Sequence, residues 1–321
     1  MAVGVSLGFD LGGTQVRAAL VQGGVILRRA AMPTDVAGGP LAVMAQFRAL
    51  ADQVVGSEAV QAVGLAAPGP LDTETGTVLR IPTLPGWDGF ALRDEFGAIF
   101  GLPAVLENDG IAAAYGEWKH GAGQGLRHLV YVTVSTGIGG GVVVDGHLMH
   151  GRRGMAGHIG HMRVAEAGPV CSCGRVGCFE ALAAGPALAL RGQAAAGADP
   201  GGFVGRIAAA GARIEAKHVA EGARQGDAAC LGLLQDEARW LGQGFASLAH
   251  LFSPERIIMG GGVAQTFDLM RDHLLATFQS EAMPAFRTVE IVPAALGDNA
   301  GLIGAASLAL IDASGLLWRV V

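Results

Sequence analysis

The feature that most constrains the fold is a layout that occurs twice. Residues 5–10 form a short apolar run suited to a buried strand. Leu11-Gly-Gly-Thr14 follows as a turn, residues 15–21 resume as a strand, and Gly23-Gly24 turns into a third strand over 25–31. About a domain length later the same order returns. Residues 129–134 are a continuous apolar strand, the 135–141 run Ser-Thr-Gly-Ile-Gly-Gly-Gly is a turn, and residues 142–145 and 148–150 flank Gly146 as a hairpin would. Two units of strand, Gly/Thr turn, strand, turn, strand imply a duplicated α/β fold. A glycine turn between strands presents backbone N–H groups with no side chains in the way, as phosphate binding needs. Two such turns facing one another would clamp a nucleotide. Taken singly, each is equally a plain hairpin turn, and the first is neither a P-loop pattern nor followed by a helix.

The stretches between and after these units alternate helix and strand. Residues 40–55 and 90–100 read as helices, the second closed by Gly101, while 60–67 and 102–106 read as strands. Residues 68–70 and 81–87 are proline-bearing loops. The C-terminal half turns helical over 179–184, 187–196, 203–210, 216–224 and 228–251. A strand over 256–259 then leads into Gly260-Gly-Gly262 and a helix running from Val263 towards Phe278. A helix N-terminus behind glycines is a standard anion contact. A last strand covers 289–292, and a small-residue helix suited to close packing starts at Asp298.

Three of the four cysteines fall within eight residues, Cys171-Ser-Cys173-Gly-Arg-Val-Gly-Cys178, and His161 stands ten residues before the first. Soft thiolates with an imidazole suit a tetrahedral zinc ion, and a structural site uses four protein ligands, here His161, Cys171, Cys173 and Cys178. The alternative is three buried thiols beside an unrelated histidine, but this stretch is polar and glycine-rich rather than core-like. Cys230 lies apart and reads as a buried helix cysteine. Clustered cysteines fit a metal site better than a disulfide framework.

The formal net charge of −6 argues against nonspecific nucleic-acid binding. No apolar run reaches the length of a membrane span, and the start lacks the marks of a signal peptide. The expectation is a soluble, cytoplasmic protein with no nucleic-acid or membrane partner. One more stretch carries chemistry. Glu107-Asn108-Asp109 ends a strand and opens a helix over 110–120. Asn108 and Asp109 are good N-cap residues, so capping is one reading. The other is that Asp109 takes a proton from a substrate hydroxyl while Asn108 binds a neighbouring hydroxyl.

With these pieces assembled, the chain resembles the ROK family of sugar kinases and sugar-responsive repressors. The motifs are Asp10-Leu-Gly-Gly-Thr14, Glu107-Asn-Asp109, Ser135-Thr-Gly-Ile-Gly-Gly140, Gly157-His-Ile-Gly-His161, the cysteine run with Glu180, and Gly260-Gly-Gly262. The resemblance implies a two-lobed actin-like (ribonuclease H-like) ATPase fold with nucleotide and sugar in the cleft between lobes. One lobe would hold residues 1–120 plus about 299–321, the other residues 121–298 with a zinc-binding sugar loop. It implies ATP, Mg²⁺ and structural Zn²⁺ as cofactors, and a homodimer or homotetramer. It implies transfer of the γ-phosphoryl group to the 6-hydroxyl of a hexose or N-acetylhexosamine, with Asp109 as general base. Asn108, His158, His161 and Glu180 would be further sugar contacts. Gly12, Gly13, Thr14, Thr136, Gly137 and Gly261 would contact ATP, with Asp10 as the magnesium-side carboxylate. Two departures bear on the sugar. His158 stands where glucose-acting members carry glutamate, as in bacterial N-acetylmannosamine kinases, and Thr83 stands where asparagine is common. Glucose and N-acetylmannosamine both remain open. A repressor of the family would place a DNA-binding module before the Asp10 motif, and residue 10 leaves no room for one. A noncatalytic sugar binder would be favoured only if Asp10, Gly13 or Asp109 were missing.

Overall fold

The computed structural model describes residues 4–313; the expected end of the first lobe, over residues 314–321, lies outside them. The first sheet follows from strict alternation. In β1 (Val5–Leu11) the residues Leu7, Phe9 and Leu11 enter one apolar cluster, while Ser6, Gly8 and Asp10 point to the other face. Beside it, β4 (Ala62–Ala67) sends Val63, Leu65 and Ala67 to that same cluster. The strand order is β3-β2-β1-β4-β7, with β2 (Gln15–Gln22), β3 (Val25–Pro33) and β7 (Ala104–Asn108). β1, β2 and β3 pair antiparallel, and β1, β4 and β7 pair parallel.

Helices α1 (Gly39–Val54) and α2 (Leu92–Phe100) cover the cluster face. Phe9 packs edge-on against Phe47 and Phe96 with centroids 5.4 and 5.2 Å apart. The other face takes α10 (Ala300–Ala313), which also lies on α3 (Asp109–His120). The approach is close enough to require glycine. A Cβ on Gly8 would stand 2.0 Å from the Leu302 carbonyl oxygen, and one on Gly304 1.8 Å from that of Ala112. The small residues of the last helix therefore serve as expected.

The second sheet repeats the first. Its order is β10-β9-β8-β11-β12, formed by β8 (Leu129–Val134), β9 (Ile138–Val144), β10 (His147–Leu148), β11 (Arg256–Gly260) and β12 (Glu290–Pro293). β9 and β10 run antiparallel, and β8, β11 and β12 run parallel. The duplicated β-unit is thus present strand for strand. The helices of this half are α4 (Phe179–Ala183), α5 (Gly185–Ala198), α6 (Phe203–Ala209), α7 (Ala216–Arg224), α8 (Ala228–Phe252) and α9 (Phe267–Glu281). α8 buries Leu234, Ala238, Leu241, Phe245 and Leu248, the three-and-four spacing of one helix face.

The chain divides into two compact units. Among the described residues, one holds 4–127, Gly141–Gly157 and 295–313; the other holds His128–Gly140 and His158–Ala294. Four local readings shift. β9 starts at Ile138, so the second turn shrinks to residues 135–137, because Gly139–Gly141 pair as strand. β7 runs on to Asn108, since its pairing with β4 continues to Ala67. A small hairpin, β5 (Leu71–Asp72) and β6 (Thr77–Val78), was not expected. Gly262–Thr266 forms a 3-10 turn, and α9 begins only at Phe267.

Candidate functional site

In the first unit the parallel strands β1 and β7 end near each other's chemistry. β1 ends on Asp10 and Leu11. The turn after it is closed by backbone: the Gly12 N–H donates to Gln15 O at 2.9 Å, and the Thr34 N–H donates to Thr14 O at 3.0 Å. Gly13 is required by contact, because a Cβ there would lie 2.7 Å from that of Thr83. Arg17 forms an ion pair with Asp10 and also donates to the Asp298 carbonyl at 2.9 Å. Asp10 is therefore held from the neighbouring strand, a contact that the sequence did not announce.

β7 delivers Glu107, Asn108 and Asp109 to the start of α3. Asn108 is the N-cap: its side-chain oxygen accepts from Gly110 N at 3.0 Å and Ile111 N at 3.4 Å. The capping reading and the chemical reading are thus divided between the two residues. With Asn108 capping, the Asp109 carboxylate accepts from its own neighbour, Gly110 N, at 2.8 Å and also from the Asn108 side chain. Burial, and after it the negative charge of Asp10, push the Asp109 carboxyl up to about 6. Glu107 is buried at 4 % exposure; it takes the Asn108 N–H on Oε1 at 2.8 Å, and its Oε2 lies 3.1 Å from His150 Nε2.

In the second unit the turn at 135–137 carries Thr136, which is exposed, and Gly137. Here the local backbone bond from Ser135 N to Gly137 O, at 2.9 Å, is joined by a distant side chain. Glu180, on α4, accepts the Ile138 N–H on Oε2 at 3.0 Å, and a Cβ on Gly137 would sit 2.6 Å from that oxygen. The other oxygen, Oε1, accepts from Ser172 Oγ at 2.9 Å. Glu180 thereby joins the cysteine loop to the glycine turn. The sequence reading made Glu180 a sugar contact and missed this tie, whose partners are 8 and 42 residues away. Gly261, at φ 86°, brings the end of β11 against β8; a Cβ would meet Val134 O at 2.4 Å.

The four residues read as metal ligands do converge. One donor atom from each of His161, Cys171, Cys173 and Cys178 lies within 4.8 Å of the others. A zinc ion with bonds of about 2.3 Å to sulfur requires tetrahedral sulfurs about 3.8 Å apart and a slightly shorter sulfur–nitrogen edge. Cys173 and Cys178 Sγ are 3.6 Å apart, and Cys171 Sγ is 3.5 Å from His161 Nδ1. The set fits a four-coordinate ion. The loop is built for this: the Cys171 N–H donates to Arg175 O, and Gly174 at φ 84° and Gly177 at φ 83° supply the reversals between the second and third thiols. A backbone hydrogen bond from Arg175 lowers the Cys173 thiol to about 7, while burial pushes Cys178 up to about 12. With Nδ1 towards the thiols, His161 keeps Nε2 on its opposite edge, and the half-buried His158 ring stacks 6.4 Å away. Cys230 stays outside the cluster, buried in α8.

Comparison with known proteins finds relatives over nearly the whole chain. The glucokinase of Streptomyces coelicolor is 36% identical over 316 residues, covering 96% of this chain and 98% of its own. The N-acetylmannosamine kinase of Salmonella typhimurium is 35% identical over 308 residues, covering 96% and 99%. The crystal structure of a ROK family glucokinase from Streptomyces griseus in complex with glucose and AMPPNP superposes with a TM-score of 0.86 at 36% identity, covering 96% and 99%. The repeated sheet is that of the actin-like ATPase fold of these kinases. The ROK family model matches residues 6–311, and the chain belongs to the ROK family.

Proposed function

We propose that this protein is an ATP-dependent sugar kinase that transfers the γ-phosphoryl group to the 6-hydroxyl of a hexose, glucose or N-acetylmannosamine. The observation that carries this reading is Asp109. It stands at a strand–helix junction, its capping duty is taken by Asn108, and its pKa of about 6 suits a base working near neutrality. Similarity to glucokinases and N-acetylmannosamine kinases over nearly the whole chain supports it. The regulator reading is not favoured, and the noncatalytic one meets Asp10, Gly13 and Asp109 all in place.

The chemistry asks mainly for placement and charge neutralisation. Asp109 takes the proton of the 6-hydroxyl as that oxygen bonds to the γ-phosphorus and the bond to ADP breaks. Asn108, whose oxygen caps α3, offers its Nδ2 to a neighbouring hydroxyl. In the second unit, His158, His161 Nε2 and Glu180 bind further hydroxyls; the two oxygens of Glu180 each retain acceptor capacity beyond the bonds they already make. Gly13, Thr14, Thr136, Gly137 and Gly261 would present backbone and hydroxyl donors to ATP, and Gly12, whose N–H goes to Gln15 O, would line the same turn without a side chain. Asp10 would be the magnesium-side carboxylate, and Mg²⁺, when bound, would neutralise phosphate charge. His161, Cys171, Cys173 and Cys178 would hold Zn²⁺, which fixes the loop and the tautomer of His161. The family resemblance further suggests a homodimer or homotetramer in the cytoplasm, which light scattering on purified protein checks for assembly.

The reading is tested by ADP release from Mg-ATP in wild type and Asp109→Asn. The variant keeps sugar affinity, measured calorimetrically, and loses roughly 10²- to 10⁴-fold in turnover. Near-normal turnover in the variant would remove Asp109 from its role.

A further inference from the structure

Glu107 lies beside the proposed base but has no part in the chemistry above. It is a carboxylate at 4 % exposure, and such a group is retained only with partners. Its two oxygens do different things. Oε1 accepts the N–H of the next residue, Asn108, at 2.8 Å, and Oε2 meets His150 Nε2 at 3.1 Å. The first bond ties the side chain to the backbone that carries Asn108 and Asp109. The second ties it to a segment more than forty residues downstream.

His150 is itself well anchored. The Met149 N–H before it donates to Val142 O at 2.8 Å, and the His150 carbonyl accepts from Ala156 N at 2.9 Å. Its side chain is 22% exposed. Burial opposes a charge on the ring, but the Glu107 carboxylate and a hydrogen bond to the Leu148 backbone outweigh it and raise the pKa. An imidazole between two acceptors serves as a two-ended donor. The rotamer of Glu107, and with it the peptide plane of Asn108, is held by a group fixed elsewhere in the same unit.

We propose that the buried Glu107–His150 pair is a clamp that sets the Asn108–Asp109 strand end, which makes His150 a positioning residue for the base. The proposal rests on the kinase reading for its consequence in rate, not for the clamp itself. Asn108 must cap α3 and bind a hydroxyl at once, and Asp109 must meet the 6-hydroxyl, so a small rotation at Asn108 misplaces both. Misplacement of this kind costs roughly 10- to 100-fold in rate even with every reacting group present.

The experiment compares wild type, His150→Ala and His150→Gln in the full chain by two readouts. The first is steady-state turnover with Mg-ATP and the sugar that wild type uses. The second is hydrogen exchange of the backbone amides from Asn108 to Ile111, referred to amides in α8. The clamp predicts that His150→Ala lowers kcat with little change in KM for ATP. It also predicts faster exchange at Asn108–Ile111, unchanged exchange in α8, and recovery of both readouts in His150→Gln, which retains an N–H donor. Normal kcat with normal exchange at Asn108 overturns the proposal. Lowered melting temperature with normal kcat makes the pair a structural brace and also overturns it. If wild type turns over no hexose, the kinase reading and the rate consequence fail together, and the exchange readout still decides the clamp.

Discussion

The two glycine turns of this protein occupy equivalent places in two sheets of the same strand order, yet they are closed in different ways. The first, after β1, is shut by its own neighbourhood: Gly12 to Gln15, Thr34 to Thr14, and the Thr34 hydroxyl to the Gly12 carbonyl at 2.6 Å. The second, after β8, has one backbone bond of its own, Ser135 N to Gly137 O at 2.9 Å, and is held further by Glu180, which reaches Ile138 N from α4 and holds Ser172 of the cysteine loop with its other oxygen. A duplicated scaffold has kept the strand layout and diverged in what supports the turn. The first turn is held by its own backbone, by Thr34 at the far end of the same hairpin meander and by contact with Thr83. The second is also tied to the cysteine loop, so the state of that loop reaches the turn through one carboxylate.

This difference is open to attack, and the largest effect comes at the metal. Cys178→Ala, or exhaustive chelation, should take zinc from stoichiometric to background by elemental analysis and lower the melting temperature, because metal binding free energy is folding free energy. Hydrogen exchange should then rise at Ile138 and not at Gly12. Equal change at both turns would erase the contrast. A smaller effect follows from Glu180→Ala, which strands the N–H of the buried Ile138 at an expected cost of about 1–3 kcal/mol in unfolding free energy. Zinc content should persist, since Glu180 is no ligand. Loss of zinc in this variant would place Glu180 inside the metal site instead of behind it.

The first unit yields a titration. Asp109 must be ionised to act as a base, and its pKa is raised to about 6 by burial and by Asp10. The rate term kcat/KM should fall as pH drops below about 6, and the residual activity of Asp109→Asn should lack that limb. Because the folded pKa is above the unfolded one, Asp109 stabilises the fold when protonated, and this contribution is lost as pH rises through about 6. The smallest expected effect concerns His158. His158→Glu should shift preference from the 2-acetamido sugar towards glucose; an unchanged ratio would remove His158 from that position.

Much of this was legible in sequence because it is written locally. The apolar run of β1, the glycine turn after it and the run from Cys171 to Cys178 each carry a reason within a few residues, whereas the need for glycine at Gly13 comes from Thr83, far along the chain. The repeated order of turns and strands even conveyed the duplication. What stayed hidden depends on partners far away in the chain. Glu180 to Ile138, Glu107 to His150 and Arg17 to Asp298 have no periodicity or spacing to betray them. The short β5–β6 hairpin and the early start of β9 were missed for a related reason. Glycine-rich and two-residue strands have almost no propensity of their own and exist because a neighbouring strand pairs with them.

The central claim is that this chain phosphorylates a hexose from ATP. The most direct measurement is ADP release from Mg-ATP with glucose, mannose, N-acetylglucosamine and N-acetylmannosamine, ranked by kcat/KM on zinc-loaded protein. The account predicts clear turnover of glucose or N-acetylmannosamine above the other sugars. Folded, zinc-loaded protein that turns over none of the four would contradict it.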